Sequence, residues 1–509
     1  MEKIILIDCP VLADRKRAGL VSSAPIRAVV MRILVTFVVL LWCGALALRA
    51  DTYYVAQGGQ TPISPYDTWT KAASNIQDAI SVAIVADDIV LVSNGTYQAG
   101  GVTNWPSGSL LTNRVAITNA ITVRSANNDP TNTIIKGAGP IGDAAVRCVY
   151  MVDNSSLVGF TLTNGATLGR IGDPWAAGGD TNDGGGAYCQ STAATISNCV
   201  IISNSADYRA GGVYAGTLYN CTLIGNSAYL GGGARDSTLF NCTVSENFVT
   251  RLYCSAGGVY GCTLSNCTLI GNSTRGIASI GGGATYGLLY NCTLSGNTSK
   301  WWGGGAFNAK LTNCTIVGNS GQEGGGARSC VLYNCTIVSN SVSQYGGGVF
   351  ESTLYNCLLS GNTSYWDGGG AYSSTLYNCT VAENTAVSNG GGVYAGSLYN
   401  TIVYFNTALD GSNWWNVSTF THTCTAPAAT NGAGNIGANP IFVNTNAANY
   451  RLSVNSPCIN SGTNYSWMTN AVDVRSVDLD GNRRIDRFSG RVDMGSYELA
   501  PKGTLFRMY

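Results

Sequence analysis

The sequence predicts an all-β protein, a right-handed parallel β-helix (solenoid) with an N-terminal helix cap. Three observations lead to this prediction: a unit of about 22 residues occurs ten times, a glycine cluster opens each unit, and two asparagines stand six residues apart in each. A repeat of this length is typical of stacked arrays, in which each unit buries its apolar face against the next. A glycine cluster in every unit argues against helices, because glycine destabilises a helix interior.

The repeat spans residues 184–406, and one copy, residues 211–226, reads GGVYAGTLYNCTLIGN. The glycine clusters begin at Gly184, Ala210, Gly231, Ala256, Gly281, Gly303, Gly324, Gly346, Gly368 and Gly390. The first asparagines are Asn198, Asn220, Asn241, Asn266, Asn291, Asn313, Asn334, Asn356, Asn378 and Asn400. The second asparagine follows six residues later, from Asn204 in the first copy to Asn406 in the last. Length differences lie mostly after it, so loops of unequal length are expected there.

Alternation of side chains predicts the strands of each coil. In the second copy, Val213 and Leu218 are expected to point inward, and Tyr214 and Tyr219 outward. The alternation slips by one at Asn220, as it would at a tight bend. Asparagine tolerates the left-handed conformation of such bends, its amide can bond the amide one coil away, and glycine serves the other corner. Three strands per coil match the right-handed form.

Composition and charge limit the function classes. Only 11% of the 509 residues are charged and the formal net charge is zero, so nothing basic points to nucleic acid. Residues 31–50 predict a signal peptide, and residues 1–30 a leader extension or a misassigned start. An uncleaved anchor is the alternative, although the apolar run is shorter than the ~20 residues that a span prefers. We expect no membrane span after signal removal.

Two regions flank the repeat. Residues 51–183 predict an N-terminal cap and irregular first coils, and residues 407–509 predict C-terminal coils and a cap module. The N-terminal part predicts a strand at residues 52–56 and, in IVLVSNGTY (residues 89–97), a buried strand that runs into an Asn-Gly turn. Between those two strands, one apolar helical face is formed by Ile76, Ala79, Ile80 and Ala83. An amphipathic helix at the end of a solenoid would cover core and strand edges that are otherwise exposed.

Nine of the 18 cysteines form a column at one position of the repeat. They are Cys199, Cys221, Cys242, Cys267, Cys292, Cys314, Cys335, Cys357 and Cys379. Parallel side chains in one column cannot pair off completely, and a metal site needs converging ligands in a chain whose single histidine is His422. We expect free, buried thiols that act as small hydrophobic groups, with disulfides as the alternative that export favours. No metal and no cofactor is predicted.

Several stretches resemble known families. Residues 69–97 look like the N-terminal entry of pectin-lyase-like right-handed β-helix proteins. The repeats resemble those of the chlamydial polymorphic outer membrane proteins, although Ala/Val-Tyr follows the glycines here and Leu or Ile often replaces the Phe of that motif. NPIFV, YRLSVNSPCINSG and residues 478–498 resemble the choice-of-anchor Q module of secreted bacterial β-helix proteins. The resemblance implies a bacterial protein that is secreted or on the cell surface, as an outer-membrane adhesin would be.

Acid–base chemistry would need two carboxylates at like positions on the same or neighbouring coils. Carboxylates at like positions are Asp183, Glu323 and Asp367, and then Glu246 and Glu383. None of these stand on neighbouring coils, so no catalytic residue is predicted in the repeat. The remaining enzyme option is a site in the variable loops or in residues 98–183, for example at Asp143, Arg147 and Asp153. Residues 478–482 predict a turn, with a calcium loop as the alternative.

The outward aromatic residues recur at like positions of neighbouring coils, which the carboxylates do not. One column runs Tyr219, Phe240, Ser265, Tyr290, Thr312, Tyr333, Tyr355, Tyr377, Tyr399. Another runs Tyr188, Tyr214, Arg235, Tyr260, Thr285, Phe307, Arg328, Phe350, Tyr372, Tyr394. Aligned rings can stack on sugars or form a protein contact patch, whereas the alternative is that they only stabilise neighbouring strands. The ligand-binding candidates are Trp301, Trp302, Tyr345, Trp366, Tyr333, Tyr355, Tyr377 and Tyr399.

The sequence therefore favours a secreted or cell-surface β-helix protein, non-catalytic, in adhesion or in carbohydrate or ligand binding. The alternative is a polysaccharide lyase or glycoside hydrolase of the pectin-lyase-like fold. The expected partner is an extracellular polysaccharide or a cell-surface protein, and nucleic acid is not expected as a partner.

Overall fold

Short parallel strands, stacked coil on coil, build a right-handed parallel β-helix, as predicted. The structure is a computed structural model that describes residues 49–169, 181–470 and 472–499. The predicted leader extension and residues 31–48 of the predicted signal peptide lie outside the described residues. Within the described ranges, no helix has the length and apolar character needed to cross a membrane.

The N-terminal region adds coils of irregular length before the repeat. Its strands are Thr52–Val55, Ile89–Val92, Gly95–Tyr97, Thr112–Ile117, Thr122–Ser125, Thr133–Lys136, Val146–Met151, Ser156–Val158 and Thr161–Thr163. The 3-10 helix Trp69–Lys71 and the α-helix Ile76–Val82 lie between the first two strands. The α-helix begins after Asn75, whose side chain accepts from the backbone N–H of Asp78. The predicted apolar face is buried in the core: Ile76, Ala79, Ile80 and Ala83.

Each repeat coil has up to four short strands. The first strands are Ala187–Cys189, Val213–Tyr214, Ala234–Arg235, Val259–Tyr260, Ala284–Thr285, Ala306–Phe307, Ala327–Arg328, Val349–Phe350 and Trp414–Trp415. The second strands are Thr195–Ser197, Thr217–Tyr219, Thr238–Phe240, Thr263–Ser265, Leu288–Tyr290, Lys310–Thr312, Val331–Tyr333, Thr353–Tyr355 and Thr419–Thr421. In two coils the first and second strands merge into Ala371–Tyr377 and Val393–Tyr399.

The other two sides of the coil are simpler. The third strands are Val200–Ile202, Thr222–Ile224, Thr243–Ser245, Thr268–Ile270, Thr293–Ser295, Thr315–Val317, Thr336–Val338, Leu358–Ser360, Thr380–Ala382, Ile402–Tyr404 and Cys424–Thr425. The fourth strands are Ser227–Ala228, Phe248–Val249, Ser273–Thr274, Ser320–Glu323, Ser341–Tyr345, Thr363–Ser364 and Thr385–Ala386. Because the first and second strands share one sheet, the coil has three sides, and the first side is bent by a left-handed residue such as Ala215 (φ 59°). The sequence prediction of three strands per coil did not include this bend.

The two asparagines of each unit have different structural roles. The first asparagine of every copy is left-handed, with φ between 47° and 55°, as predicted. At the second corner, the left-handed residue is the one before the second asparagine, for example Gly318 (φ 64°) before Asn319. The second asparagine is therefore free to turn its side chain into the core.

Those second asparagines form a buried amide ladder along the solenoid. The backbone N–H and the Nδ2 of Asn319 both donate to Oδ1 of Asn340 in the next coil, at 2.9 and 3.0 Å. Its Nδ2 also donates to the carbonyl of Leu294 in the preceding coil, and its Oδ1 accepts two bonds from Asn297. The ladder comprises Asn204, Asn226, Asn247, Asn272, Asn297, Asn319, Asn340, Asn362, Asn384 and Asn406. The predicted bond between amides of adjacent coils is thus confirmed for the second column.

Close backbone contact explains the second and third glycines of each cluster. A Cβ on Gly305 would lie 2.5 Å from the carbonyl oxygen of Gly326 and 3.1 Å from Cγ of Asn319. Where the stack ends, in the eleventh coil, Asn413 occupies the third position. Its Oδ1 accepts from the N–H and the Nδ2 of Asn406, both at 3.1 Å, and so closes the amide ladder.

The predicted inward residues are buried, and so is the whole cysteine column. Cys242 shows the shared environment: its Sγ donates to the carbonyl of Phe240 at 3.3 Å, and its N–H donates to Sγ of Cys267, one coil further, at 3.4 Å. All cysteines of the described residues are free thiols. Each sulfur fills a small gap between two backbones, which is what a small hydrophobic side chain would do.

We expect the cysteines to react with a thiol reagent only after unfolding. All the free thiols of the described residues are buried, so a reagent has no access to them in the native protein, and burial also raises the pKa of Cys262 and of Cys330 to about 12. Thiol titration without reductant, before and after denaturation, measures this directly. Release of fewer than about five thiols on unfolding would contradict the free-thiol interpretation.

Residues 440–499, here called the C-terminal segment, do not continue the stack of coils. The segment contains the antiparallel strands Phe442–Asn444 and Asn449–Leu452 and the 3-10 helices Thr445–Ala447, Ser466–Thr469 and Val474–Ser476. It runs back along one side of the solenoid, where its backbone bonds Asn334, Asn356 and Asn400. The first-asparagine corner is therefore a docking surface for the chain's own C-terminal segment.

Candidate functional site

The structure places both predicted aromatic columns in register. Tyr219 pairs with Phe240 and Tyr377 with Tyr399 on adjacent coils of the first column. In the second column, Phe350 pairs with Tyr372, and the column continues beyond its predicted end to Trp415. Period-2 alternation and the repeat length were thus sufficient to predict which rings stack on which.

Four of the ligand-binding candidates lie in the first column, and the C-terminal segment contacts this column. The ring of Tyr355 meets Trp467 edge-on at 5.7 Å, and the ring of Tyr377 meets Tyr465 edge-on at 5.9 Å. The guanidinium of Arg475 lies 5.1 Å from the ring centre of Tyr355. The four candidates, all half-buried, are Tyr333, Tyr355, Tyr377 and Tyr399. The rings of Tyr355 and Tyr377 contact an intramolecular partner, which sequence periodicity could not reveal because the C-terminal segment does not repeat.

Stacking within the columns also limits what their rings can bind. Phe350 and Tyr372 lie 4.9 Å apart with their planes 2° from parallel, and Tyr372 stacks on Tyr394 in the same way. A ring whose two faces are covered by its neighbours offers only its edge to a ligand. The columns therefore fit the alternative interpretation, in which stacked rings stabilise adjacent strands.

A second set of side chains meets the second column across the glycine corner. In several coils, the residue before the glycine cluster contacts the outward residue of a first strand, either five positions later or one coil further. Trp302 lies 5.9 Å from Phe307 and Tyr345 lies 5.0 Å from Tyr372, as ring centroids. We call this face of the solenoid the aromatic corner; it comprises Trp301, Trp302, Gln322, Glu323, Arg328, Gln344, Tyr345, Phe350, Glu351, Trp366 and Tyr372.

Arg328 is the centre of the aromatic corner. Its guanidinium contacts the carboxylate of Glu323 in its own coil and that of Glu351 in the next coil, the latter at 3.4 Å. The guanidinium carbon lies 3.9 Å from the ring centre of Trp302 and 4.5 Å from that of Phe350. A planar guanidinium suits this place because it can pair with carboxylates at its edge while its faces lie against rings.

Burial raises the pKa of the Glu323 carboxyl, while the charge of Arg328 lowers it and that of Glu351 raises it. Sequence reasoning missed this pair of carboxylates, because it compared only like positions of neighbouring coils. Glu323 precedes a glycine cluster, whereas Glu351 stands at the left-handed bend after a first strand (φ 48°). A search for charges five residues apart across each glycine cluster would have found Glu323 with Arg328.

Trp301 and Trp366 leave part of their rings open to solvent, with 38% and 48% of the residue exposed. They stand three coils apart on the loops after the second asparagine, whose unequal lengths the sequence predicted. Gln322 and Gln344 occupy the two coils between them, since Gln322 N–H donates to the carbonyl of Trp301 and Trp366 N–H to that of Gln344. Four of the eight predicted candidates are thus brought together at the aromatic corner: Trp301, Trp302, Tyr345 and Trp366.

The other suggested sites do not assemble. Arg147 is fully buried, where it bonds Asn113 and the carbonyl of Asp183, whereas Asp143 and Asp153 are exposed. The carboxylate of Asp478 accepts bonds from the N–H groups of Asp480 and Asn482 within its own turn, and from the N–H of Glu498. Among the described residues, no group of three or more acidic, histidine or cysteine side chains is placed to hold a metal ion.

Comparison with known proteins concerns the fold. Residues 252–408 match the family profile of the right-handed β-helix region. Similar solved structures include a pectate lyase (14% identity, TM-score 0.28, 89% of this chain and 97% of the lyase) and the Dettilon tailspike protein (13%, 0.35, 73% and 69%). Another is the A-module of an Azotobacter vinelandii mannuronan C-5 epimerase (14%, 0.31, 72% and 98%). No curated protein sequence matches the chain.

Proposed function

We propose that this β-helix binds carbohydrate at the aromatic corner without cleaving it, in a secreted or cell-surface setting where adhesion is the role. The observation that carries the proposal is the row Trp301, Gln322, Gln344, Trp366, which lies beside the Glu323–Arg328–Glu351 cluster. Coils repeat every ~4.8 Å, so the two tryptophans stand on the order of 14 Å apart. That spacing suits several linked sugar units better than one.

The chemistry of the row suits a sugar chain. Indole rings can stack on the apolar face of a sugar ring, which is the role predicted for these loop tryptophans. Glutamine amides and the exposed carboxylate of Glu351 can bond hydroxyl groups, and a ligand site typically combines a few such polar groups with aromatic walls. Backbone hydrogen bonds join adjacent coils beneath the row, with a register shift between Gly321 and Glu323, so these groups follow one another coil by coil.

The pairing of Arg328 supports binding rather than turnover. Acid–base cleavage of a glycosidic bond needs one protonated and one ionised carboxyl group on opposite sides of that bond. Here both carboxylates contact the same guanidinium, so they lie beside one cation rather than on opposite sides of a bound sugar unit. The pairing of Glu323, Arg328 and Glu351 therefore fixes the side chains of a binding surface.

We expect the double variant Trp301→Ala/Trp366→Ala to lose at least about tenfold in affinity for the glycans that the purified protein retains, because each indole supplies about 0.5–1.5 kcal/mol of ring contact beyond its buried area. Affinity electrophoresis through gels that contain each polysaccharide measures this change. Trp69→Ala, which removes an equally exposed indole at the N-terminal region, is the matched control and should bind normally. If the gels retain the double variant as strongly as the unsubstituted protein, the binding surface lies elsewhere.

Catalysis is the second candidate, and one observation favours it. The raised pKa of Glu323 beside a second carboxylate is what an acid–base pair would show. Release of new reducing ends or of unsaturated products from a retained polysaccharide, abolished in Glu323→Gln, would establish it. Retention without product would leave binding as the function.

A further inference from the structure

The charges around the aromatic corner are predominantly negative. From the loop that carries Trp301 to the loop that carries Trp366, the residues before the glycine clusters, the outward residues of the first strands, the bends that follow them and the adjoining loop residues carry five charges. These are Lys300, Glu323, Arg328, Glu351 and Asp367. Two cations stand against three anions, which leaves an excess of one negative charge.

The central cation cannot offset this excess for a ligand. This cation, Arg328, is already paired with two carboxylates, and two aromatic rings cover its faces. Only 12% of its side chain is exposed. Asp367 is fixed in the adjacent coil, where it accepts from the N–H and the amide of Asn389. The exposed charge nearest the middle of the row is the carboxylate of Glu351.

We infer that the glycan bound at the aromatic corner is uncharged, a neutral polysaccharide rather than a uronate polymer; this inference rests on the proposed function. A polymer with one carboxylate per sugar would bring several negative charges against Glu351, Glu323 and Asp367, and like charges at this distance repel. Binding of anions elsewhere in proteins relies on guanidinium or ammonium groups that are free to form paired bonds. Hydroxyl groups, in contrast, are good donors to the carboxylate of Glu351.

The test compares two forms of one polymer. A neutral glucan or xylan that the purified protein retains is carboxymethylated, and both forms are measured by affinity electrophoresis at low and at physiological salt. We expect the neutral form to bind at least about tenfold more tightly, with an affinity that changes little with salt because no ion pair forms. We expect Glu351→Gln to narrow the difference, whereas Glu246→Gln, an exposed glutamate at a third-strand bend of the third coil, should leave it unchanged.

The outcomes separate the two proposals. Tighter binding of polygalacturonate, alginate or the carboxymethylated form would overturn the neutral-glycan inference and leave carbohydrate binding in place. No retention by any neutral or acidic polysaccharide would overturn both. A difference between forms that Glu351→Gln does not reduce would overturn the role assigned to Glu351 as the charge that repels an acidic glycan.

Discussion

Replacing Asn319 by alanine is expected to destabilise the protein by about 3–5 kcal/mol, because it removes one amide from the middle of a fully buried ladder. The two donors of Asn297 would lose their shared acceptor, and the carbonyl of Leu294 would lose its donor. A buried polar group left without a partner costs the whole of its desolvation.

Urea denaturation followed by circular dichroism measures this loss as a lower midpoint. The matched control is Asn313→Gly in the same repeat unit: the Asn313 amide is exposed, its one bond, to Asn291, is 3.3 Å long, and glycine keeps its left-handed backbone (φ 54°). That variant should change stability by no more than about 1 kcal/mol. Similar losses for the two variants would show that the amide ladder contributes nothing special.

Because Asn319 lies in the middle of the stack of coils, its replacement should also change the shape of the unfolding transition. In a solenoid each coil contacts only its neighbours, so stability is close to a sum of coil and interface terms. A defect at Asn319 weakens the interfaces on both sides of one central coil. We therefore expect the denaturation curve to broaden or to divide into two steps, whereas a ladder end such as Asn406, which bonds Asn413, would only fray.

Periodic features could be predicted from the sequence because every coil meets the same surroundings. The inward Leu218, the outward Tyr219 and the left-handed Asn220 follow from alternation and from the slip at the bend, and the structure confirms all three. The different roles of the two asparagines in each unit could not be predicted from the sequence. Both columns are equally regular in sequence, and only the geometry shows that Asn226 turns inward while Gly225 takes the left-handed conformation.

Features that depend on contacts without a period could not be predicted. The sequence predicts Tyr355 as a ligand-binding candidate, but in the structure Trp467 and Arg475 of the C-terminal segment contact its ring. Glu323, Arg328 and Glu351 occupy three different positions of the coil, so a comparison of like positions separates residues that the glycine corner brings together. The candidate site was thus half predicted: its loop tryptophans were expected and its charged centre was not.

Replacing Gly305 by alanine is expected to cost about 3 kcal/mol or more, although the change adds one methyl group. The Cβ would lie 2.5 Å from the carbonyl oxygen of Gly326, which accepts the N–H of Ala306 at 3.0 Å. Moving that carbonyl would break an interstrand bond, and moving the other way is prevented by the side chain of Asn319. A close-packed interior cannot take up this overlap by small shifts.

Gly318→Ala separates this packing effect from the conformational preference of glycine. Gly318 has a left-handed backbone (φ 64°) with nothing within 4 Å of its Cβ position, so alanine there should cost only about 1 kcal/mol. The repeat itself supports this ranking, because Ser339, Glu383 and Phe405 hold the equivalent position with positive φ in other coils. Thermal and urea midpoints of the two variants give the comparison. A larger loss for Gly318→Ala than for Gly305→Ala would mean that left-handed turns, and not the close approach of adjacent coils, fix the glycine clusters of this solenoid.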